Sequence, residues 1–148
     1  MADNIKITKR DRRIAVFSLL FSREFDKDTD IMEFYRLAAE NTEVAFNAYV
    51  EKTFLGTCEK TAEIDAEIEN ISVNWKISRM SRVTRSILRL AVYEMLYTTA
   101  PAKAIINEAV ELAKEYDDDA APAFINGILN KVARKHDKIA DIAETQAE

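Results

Sequence analysis

The sequence of 148 residues is poor in the two residue types that make tight turns. It contains only two glycines and two prolines, where average usage would supply roughly 10 and 7. β-Sandwiches and β-barrels need many tight turns, and phosphate-binding loops need several glycines, so both are excluded. With 48% hydrophobic and 32% charged residues, the composition is typical of a globular protein. Helices joined by short loops are the fold class that remains.

Cysteine and histidine are equally scarce. Cys58 is the single cysteine and His136 the single histidine, which excludes an internal disulfide and any zinc site built from Cys and His. We therefore expect no metal and treat both as ordinary residues. The apolar runs are far shorter than the ~20 residues that cross a bilayer, and the N-terminus lacks the apolar segment of a signal peptide. A soluble cytoplasmic protein without a membrane partner is expected.

Catalytic signatures are absent from the sequence. It contains no P-loop, no G-x-S-x-G and no H-E-x-x-H, and its 26 acidic residues make any single pair of carboxylates uninformative. We expect a protein that is not an enzyme and that binds no cofactor.

The charges are distributed in blocks. The net charge is −5, yet residues 72–92 contain five Lys or Arg and no acid, and residues 1–25 contain six against three. Residues 26–71 and 93–148 are acidic, with four basic residues against twelve acids and six against eleven. Separate basic and acidic faces are predicted, and it is the local field rather than the net charge that attracts a polyanion.

Hydrophobic periodicity predicts seven helices in one domain over residues 1–136, with a frayed tail over 137–148. The first expected helix runs from Thr8 to a loop at 26–30, and Ile31, Phe34, Tyr35 and Ala38 begin the second. The third contains Val44 and Phe46 and ends near a C-cap at Gly56, and the fourth runs from Ala62 to Ile71. The last three run from Ser78 or Ser81 to about Thr98, from Pro101 to the acidic run 117–119, and from about Ala120 to Lys135.

Side chains that face the core are predicted from the same periodicity. In the first helix, Thr8 and Asp11 have the spacing of a capping box. The expected buried stripes are Ile14, Phe17, Phe21 and Phe25 in the first helix, Ile105, Ala109, Leu112 and Ala113 in the sixth, and Ile125, Ile128, Leu129 and Val132 in the seventh.

Three further residues carry expectations of their own. Trp75 is expected to anchor the packing. Glu94 falls within an apolar arc and needs a partner such as a backbone N–H or Asn107. Gly127 inside a helix costs about 1 kcal/mol relative to alanine, which a closely approaching helix or ligand would explain.

Two basic clusters could bind phosphates. At about 100° per residue, Arg79, Arg82, Arg85 and Arg89 fall on one face of the fifth helix, opposite the apolar side. They form either a row that pairs with phosphates or a solvated face with some arginines bridging to the acidic fourth helix. The second cluster, in the first helical turn, opposes the helix dipole, and either a bound anion or local fraying explains it. Its members are Lys9, Arg10, Arg12 and Arg13.

Phe124 immediately precedes the inward-facing Ile125, at the edge of the predicted core of the seventh helix. An aromatic ring at such an edge either stacks on an unpaired base or packs on its neighbours.

Four segments together resemble the NusB family. They are RRIAVFSLLF at 12–21, NWKISRMSRVTRSILRLAVYE at 74–94, PAKAIINEAVELAK at 101–114 and FINGILNK at 124–131. The resemblance implies an all-helical fold of two bundled halves and a bacterial transcription antitermination factor. Such proteins bind the boxA element of nascent RNA, typically with the ribosomal protein NusE. The complex joins RNA polymerase and other Nus factors, notably on ribosomal RNA operons.

The resemblance also implies an RNA-binding surface. When the family's RNA-binding surface is carried over position by position, the corresponding residues here are Lys9, Arg10, Arg12, Arg13, Arg89, Phe124 and Asn126, with Arg79, Arg82 and Arg85 as further members. The chain departs from the family pattern at Leu20, where tyrosine is frequent and where neighbouring Phe21 could compensate. It departs again at Ala123, where a basic residue is frequent. A modest affinity for RNA without the protein partner is therefore expected.

Two alternatives to this function are considered. One is a helical protein-interaction module without sequence-specific RNA binding, whose arginines pair with its own acids. The other is the NusB-like domain attached to certain ribosomal RNA methyltransferases, which needs a Rossmann domain for which the sequence has neither a G-x-G-x-x-G segment nor spare length. The sequence leaves self-association into a homodimer open.

Overall fold

A computed structural model describes residues 7–40 and 47–136. Within these ranges the chain is all-helical, as predicted, with seven α-helices and no strand. The helices are α1 Lys9–Arg23, α2 Ile31–Ala39, α3 Ala48–Glu59, α4 Thr61–Ile71, α5 Arg82–Tyr97, α6 Ala102–Tyr116 and α7 Ala121–Lys135, with a 3-10 turn at Ile77–Arg79 before α5. The predictions for Val44, Phe46 and the tail 137–148 lie outside the described residues.

The chain divides into two compact units, Met1–Cys58 and Glu59–Glu148, called unit 1 and unit 2 below. Unit 1 begins with the predicted capping box. The backbone N–H of Asp11 donates to Thr8 Oγ1, and the backbone N–H of Thr8 donates to Asp11 Oδ2, each at 3.0 Å. Hydrogen bonds from Thr8, the backbone one foremost, lower the pKa of Asp11. The carboxylate thus stays charged at the helix start, where the dipole favours it.

The buried side of α1 differs from the predicted stripe. Phe17 is buried, but Ile14 and Phe21 are only half-buried and Phe25 is 62% exposed. The helix ends at Arg23, so Phe25 follows its last turn and cannot continue the stripe. The core side of α1 consists of Val16, Phe17, Leu19 and Leu20.

The other helices of unit 1 pack around one aromatic ring. Phe54 of α3 lies 5.8 Å from the ring centroid of Phe34 and 6.2 Å from that of Tyr35, both on α2 and both stacked on it. The prediction that α3 ends at Gly56 is wrong, since the helix continues to Glu59. A glycine costs a helix only about 1 kcal/mol, and burial of Thr57 beyond it favours continuation.

The core of unit 2 is formed by α5, α6 and α7 together with Ile64 and Ile68 of α4. The stripes predicted for α6 and α7 are confirmed, since all eight residues are buried. Ser81 caps α5 by accepting from the backbone N–H of Thr84 at 3.0 Å. Pro101 immediately precedes α6, and Asp117 ends it. Each buried Ile or Leu of these stripes contributes about 1.5–3 kcal/mol of transfer free energy.

Two predictions within unit 2 have opposite outcomes. Glu94 is buried with 3% of its surface exposed, as the helical projection requires. The partner expected for it stays a prediction. The closely approaching helix expected at Gly127 is wrong, because a Cβ there would meet nothing within 4 Å in the described part of the chain, whereas a ligand at this position stays a prediction. No helix of the described residues is long and apolar enough to cross a membrane.

Candidate nucleic-acid interface

The basic cluster of unit 1 occupies the first turn of α1. Lys9 and Arg10 are exposed, whereas Arg12 and Arg13 are half-buried. The guanidinium carbon of Arg12 lies 5.7 Å from the ring centroid of Tyr49 on α3. Stacking on an aromatic ring holds the guanidinium plane, which suits it to paired hydrogen bonds with a phosphate. The dipole of this helix start favours an anion as well, although Thr8 already accepts from the N–H groups of Asp11 and Arg12.

The departure from the family pattern at Leu20 lies in the core of unit 1. The side chain of Leu20 is 7% exposed, so this position contributes packing. Phe21 is half-buried and contacts Phe25 edge to face, with 5.1 Å between ring centroids. Its compensation for the missing tyrosine stays a prediction.

The arginines predicted to form one stripe on the fifth helix lie in different environments. Arg79 is exposed but belongs to the 3-10 turn, so its place in the helical projection was wrong. Arg82 is exposed at the first position of α5. Arg85 is half-buried, with Nη1 3.5 Å from the carbonyl oxygens of Ile77 and Met80. The helical projection failed at Arg79 because Ser81, and not Ser78, starts the helix.

Arg89 forms a bidentate ion pair with Asp65 of α4. Its Nε donates to Asp65 Oδ1 and its Nη2 to Oδ2, both at 2.8 Å. The two side chains are 12% and 24% exposed. For this residue the alternative of bridging to the acidic fourth helix is confirmed. A pair with this geometry and burial fixes α4 against α5.

Phe124 and Trp75 form an aromatic pair in unit 2. Their ring centroids are 5.9 Å apart with planes at 74°, an edge-to-face arrangement. Phe124 is half-buried, as expected for the edge of the core. Trp75 is 51% exposed, so the expectation of a packing anchor is wrong. It follows the end of α4 in a loop, where no helical periodicity constrains the direction of a side chain.

The two rings border a cavity of about 270 Å³. It lies where α5 and α7 begin, and its lining is Trp75, Arg79, Met80, Ser81, Thr84, Asp118, Ala120, Ala121 and Phe124. One helical turn or less from Phe124, Asn126 and Gly127 are both exposed on α7. At about 100° per residue, Asn126 lies on a different face of α7 from Phe124, and it does not line the cavity.

Acidic and hydroxyl groups at this cavity are hydrogen-bonded within unit 2. Ser81 Oγ donates to Thr84 Oγ1 at 3.0 Å, and Thr84 Oγ1 donates to Asp117 Oδ2 at 2.5 Å. Asp118 Oδ1 accepts from the backbone N–H groups of Ala120 and Ala121, each at 3.0 Å. The Asp118 carboxylate thus stabilises the start of α7.

The predicted site residues belong to two units. Lys9, Arg10, Arg12 and Arg13 belong to unit 1, and the arginines of 79–89 with Phe124 and Asn126 belong to unit 2. Sequence reasoning missed Tyr49, which stacks on Arg12, and the exposed position of Trp75 at the cavity. It anticipated a partner for the arginines on the acidic fourth helix but did not identify Asp65. A signal for Trp75 was available, because it is the single tryptophan and lies in the acid-free segment 72–92. No group of three His, Cys, Asp or Glu side chains in the described ranges could hold a metal ion.

Comparison with known proteins gives the family. The profile described as the NusB family matches residues 10–134. The transcription antitermination protein NusB of Lachnoclostridium phytofermentans is 39% identical over 130 residues, covering 85% of this chain and 98% of that protein. The protein of the same name from Campylobacter hominis is 35% identical over 127 residues, covering 86% and 97%.

Solved structures agree with this match. T. maritima NusB superposes with a TM-score of 0.79 at 31% identity, covering 92% of this chain and 99% of that one. A chain from a complex of the antitermination factors NusB and NusE with double-stranded RNA superposes with a TM-score of 0.72, covering 85% and 96%. At 24% identity this last likeness shows the fold alone. The chain belongs to the NusB family of transcription antitermination proteins.

Proposed function

We propose that this chain is a transcription antitermination factor that binds boxA-type RNA together with NusE and promotes processive transcription of ribosomal RNA operons. Other Nus factors and RNA polymerase join through that complex, which forms in the cytoplasm. The curated relatives are named for antitermination, and one structural neighbour is a complex with NusE and RNA. The observation that carries the proposal is the first turn of α1, where four basic residues surround a helix start that favours an anion.

Different residues of the proposed surface contact the phosphates and the bases of the RNA. Lys9, Arg10, Arg12 and Arg13 contact phosphates and fix the register of the strand, because phosphate contacts position without reading sequence. Phe124 stacks on an unstacked base, and the exposed amide of Asn126 hydrogen-bonds a base edge.

The arginines of 79–89 contribute unequally to this proposal. Arg79 and Arg82 are exposed and serve as further cations, and Arg85 is half-buried. We keep Arg89 outside the phosphate-contacting set, because two of its N–H groups donate to Asp65. Ala123 is exposed where the family frequently has a basic residue. The absence of a basic residue at this position agrees with a modest affinity of the chain for RNA, which binding of NusE would increase.

A protein-interaction module is the second candidate. The observation that favours it is the Arg89–Asp65 pair, which shows that a basic residue of the acid-free segment 72–92 serves the fold itself. Such a module would bind RNA weakly through its charges and without a sequence preference.

The experiment is fluorescence anisotropy of a boxA-type RNA against a scrambled RNA of equal length, with and without NusE, across a salt series. We expect a preference for boxA that becomes stronger when NusE is added. Equal binding of both RNAs under every condition would overturn the proposal and leave the interaction module.

Two variants locate the surface in the same assay. Arg12→Ala is expected to weaken binding and to give a shallower salt dependence, because one fewer counterion is released. Phe124→Ala is expected to weaken binding about five- to 150-fold, the range for one stacked base, with no change in that slope. If neither variant changed the affinity for boxA, the assigned surface would be wrong.

A further inference from the structure

The cavity between the starts of α5 and α7 has the chemistry of a site for one aromatic ring. Two aromatic side chains, Trp75 and Phe124, meet at it edge to face. The indole is 51% exposed, so much of its surface lacks a neighbour from the described part of the chain. Rings that are half packed and half exposed offer a stacking surface without any rearrangement of the core.

The size of the cavity restricts its occupant. Its volume of about 270 Å³ lies just below the range of roughly 300–1,000 Å³ typical of sites for drug-sized molecules. A single ring system fits such a space, whereas a helix or a folded partner segment does not.

One cation at the edge of the cavity can bind a phosphate attached to its occupant. Arg79 borders the cavity, is exposed and has no side-chain partner within the described ranges. The acids nearby are engaged, since Asp117 accepts from Thr84 and from the Asp118 backbone, and Asp118 accepts at the start of α7. The dipole of α7 offsets the charge of Asp118. Arg79 is thus the group at the cavity available to pair with an anion.

We propose that this cavity takes one unstacked nucleobase of the bound RNA, stacked against Trp75 and Phe124, with Arg79 paired to a phosphate next to that base. The inference rests on the proposed function and extends it. It adds Trp75 as a base-binding residue and gives Arg79 a specific role. One nucleotide of the RNA is thereby extruded from its neighbours and held by protein on more than one side.

Trp75 provides the direct measurement, because it is the single tryptophan of the chain. The fluorescence of the full chain is followed during titration with boxA-type RNA in the absence of NusE. A set of RNAs, each with one abasic nucleotide, is titrated in parallel. Stacking on indole quenches its emission, so we expect quenching by the intact RNA that is lost for one abasic position and kept for the others.

Variants then measure what the cavity contributes to affinity. Trp75→Ala is expected to weaken binding of the intact RNA about five- to 150-fold, with an unchanged salt slope because no charge is removed. Trp75→Phe keeps a stacking surface and should restore most of the affinity. For the RNA that is abasic at the position bound in the cavity, Trp75→Ala should not lower the affinity any further. Arg79→Ala should make the slope shallower by about 0.7, the value for one phosphate contact on a single strand.

A matched control is Tyr116→Ala, which removes an exposed aromatic ring of the same unit that does not line the cavity and should leave RNA binding unchanged. Trp75 and Arg79 are exposed, so both variants should keep the unfolding curve of the parent chain.

Each failure has its own signature. If the parent chain shows no preference for boxA, the proposed function fails. If the parent binds boxA and Arg12→Ala weakens it, while Trp75→Ala is neutral and no abasic position removes the quenching, the base cavity is overturned and the proposed function stands. A loss of affinity for NusE alone in Trp75→Ala would make the cavity a protein-binding site and would also overturn the inference.

Discussion

Two basic segments that look alike in the sequence differ in what their charges contact. At the start of α1, Lys9 and Arg10 are exposed, and Arg12 stacks on the Tyr49 ring. The acid in that turn, Asp11, completes the capping box by accepting from the backbone N–H of Thr8, the N-cap residue. In unit 2, by contrast, acids of α4 hold basic residues of other helices. Asp65 holds Arg89, and Glu67 holds two more from the end of α7.

The difference shows what a charge pattern can and cannot predict. A row of arginines on a helical projection is compatible with both a ligand surface and a set of internal ion pairs. The position of the nearest carboxylate decides between them, and that position depends on how the helices pack. A cation that already makes two short hydrogen bonds in a partly buried site gains little from a phosphate. Lys9, exposed at the start of α1, has no such competitor among the described residues.

The largest expected effect comes from breaking the ion pair between Arg89 and Asp65. Arg89→Ala should lower the free energy of unfolding by about 2–3 kcal/mol, because it removes two charge-assisted hydrogen bonds and leaves the Asp65 carboxylate half-buried without its main partner. Urea denaturation measures the loss. Arg79→Ala, an exposed arginine of the same basic segment, should stay within about 0.5 kcal/mol of the parent. The double variant with Asp65→Ala should recover part of the loss. Equal costs for the two arginines would contradict the comparison.

A second variant tests the exposed face of α7, which carries the uncharged part of the proposed surface. Gly127→Ala should raise the free energy of unfolding by about 1 kcal/mol, the difference in helix propensity, because the added methyl group meets nothing within 4 Å. Ala123→Gly, at another exposed position of α7, should cost a similar amount and serves as the mirror control. A loss of stability in Gly127→Ala would mean that this face is packed rather than open.

Lys9→Ala tests the exposed cluster itself. Affinity for boxA-type RNA should fall a few-fold, and the slope of log affinity against log salt should become shallower by about 0.7. Stability should stay the same or rise by a few tenths of a kcal/mol, since a lysine in the first turn opposes the helix dipole. Lys103→Ala, an exposed lysine of α6, should change neither quantity. If Arg89→Ala changed the salt slope as much as Lys9→Ala does, Arg89 would belong to the RNA-contacting set.

The smallest effect concerns acid stability. Burial raises the pKa of Glu67, but hydrogen bonds and charge from His136 and Lys135 outweigh it, so the pKa lies below 4.5. The carboxylate therefore contributes stability that is present above about pH 4.5 and is lost as pH falls through the lowered pKa of the folded state. Glu67→Gln should lower stability at pH 7 by less than about 1 kcal/mol, because the pair is partly exposed.

Below pH 4.5 the two proteins should converge, with the variant losing stability less steeply. Unfolding curves at several pH values measure this convergence. Glu111→Gln, which removes an exposed carboxylate paired with Lys114, should follow the parent profile. A constant difference between Glu67→Gln and the parent at all pH values would show that Glu67 contributes through packing instead.

Helix boundaries and the core of unit 2 could be predicted because they depend on local chemistry. Thr8 and Ser81 satisfy N–H groups of their own first turns. The stripes of α6 and α7 are single apolar faces, which a 3.6-residue period describes well. α1 was harder, because apolar residues surround much of the helix and the regularly spaced phenylalanines were mistaken for its buried side. Gly56 shows that one residue of low propensity does not end a helix whose flanking residues are buried.

The site could be predicted only in part, because the environment of each side chain depends on contacts between residues distant in sequence. The first turn of α1 and the edge position of Phe124 follow from the local pattern and the family resemblance. The Arg89–Asp65 pair joins residues 24 positions apart, and the Trp75–Phe124 pair joins a loop to a helix much further along. A helical projection contains no information about such contacts, so it could not show which arginine pairs with α4 or that Trp75 is exposed.

The measurement that tests the central claim most directly is read-through of a terminator in reconstituted transcription. The template carries boxA upstream of the terminator, and RNA polymerase, NusE and the other Nus factors are present. Adding this chain should increase read-through, and scrambling boxA should abolish the increase. Read-through that is unchanged by the chain, or that rises equally on the scrambled template, would contradict a boxA-dependent antitermination function.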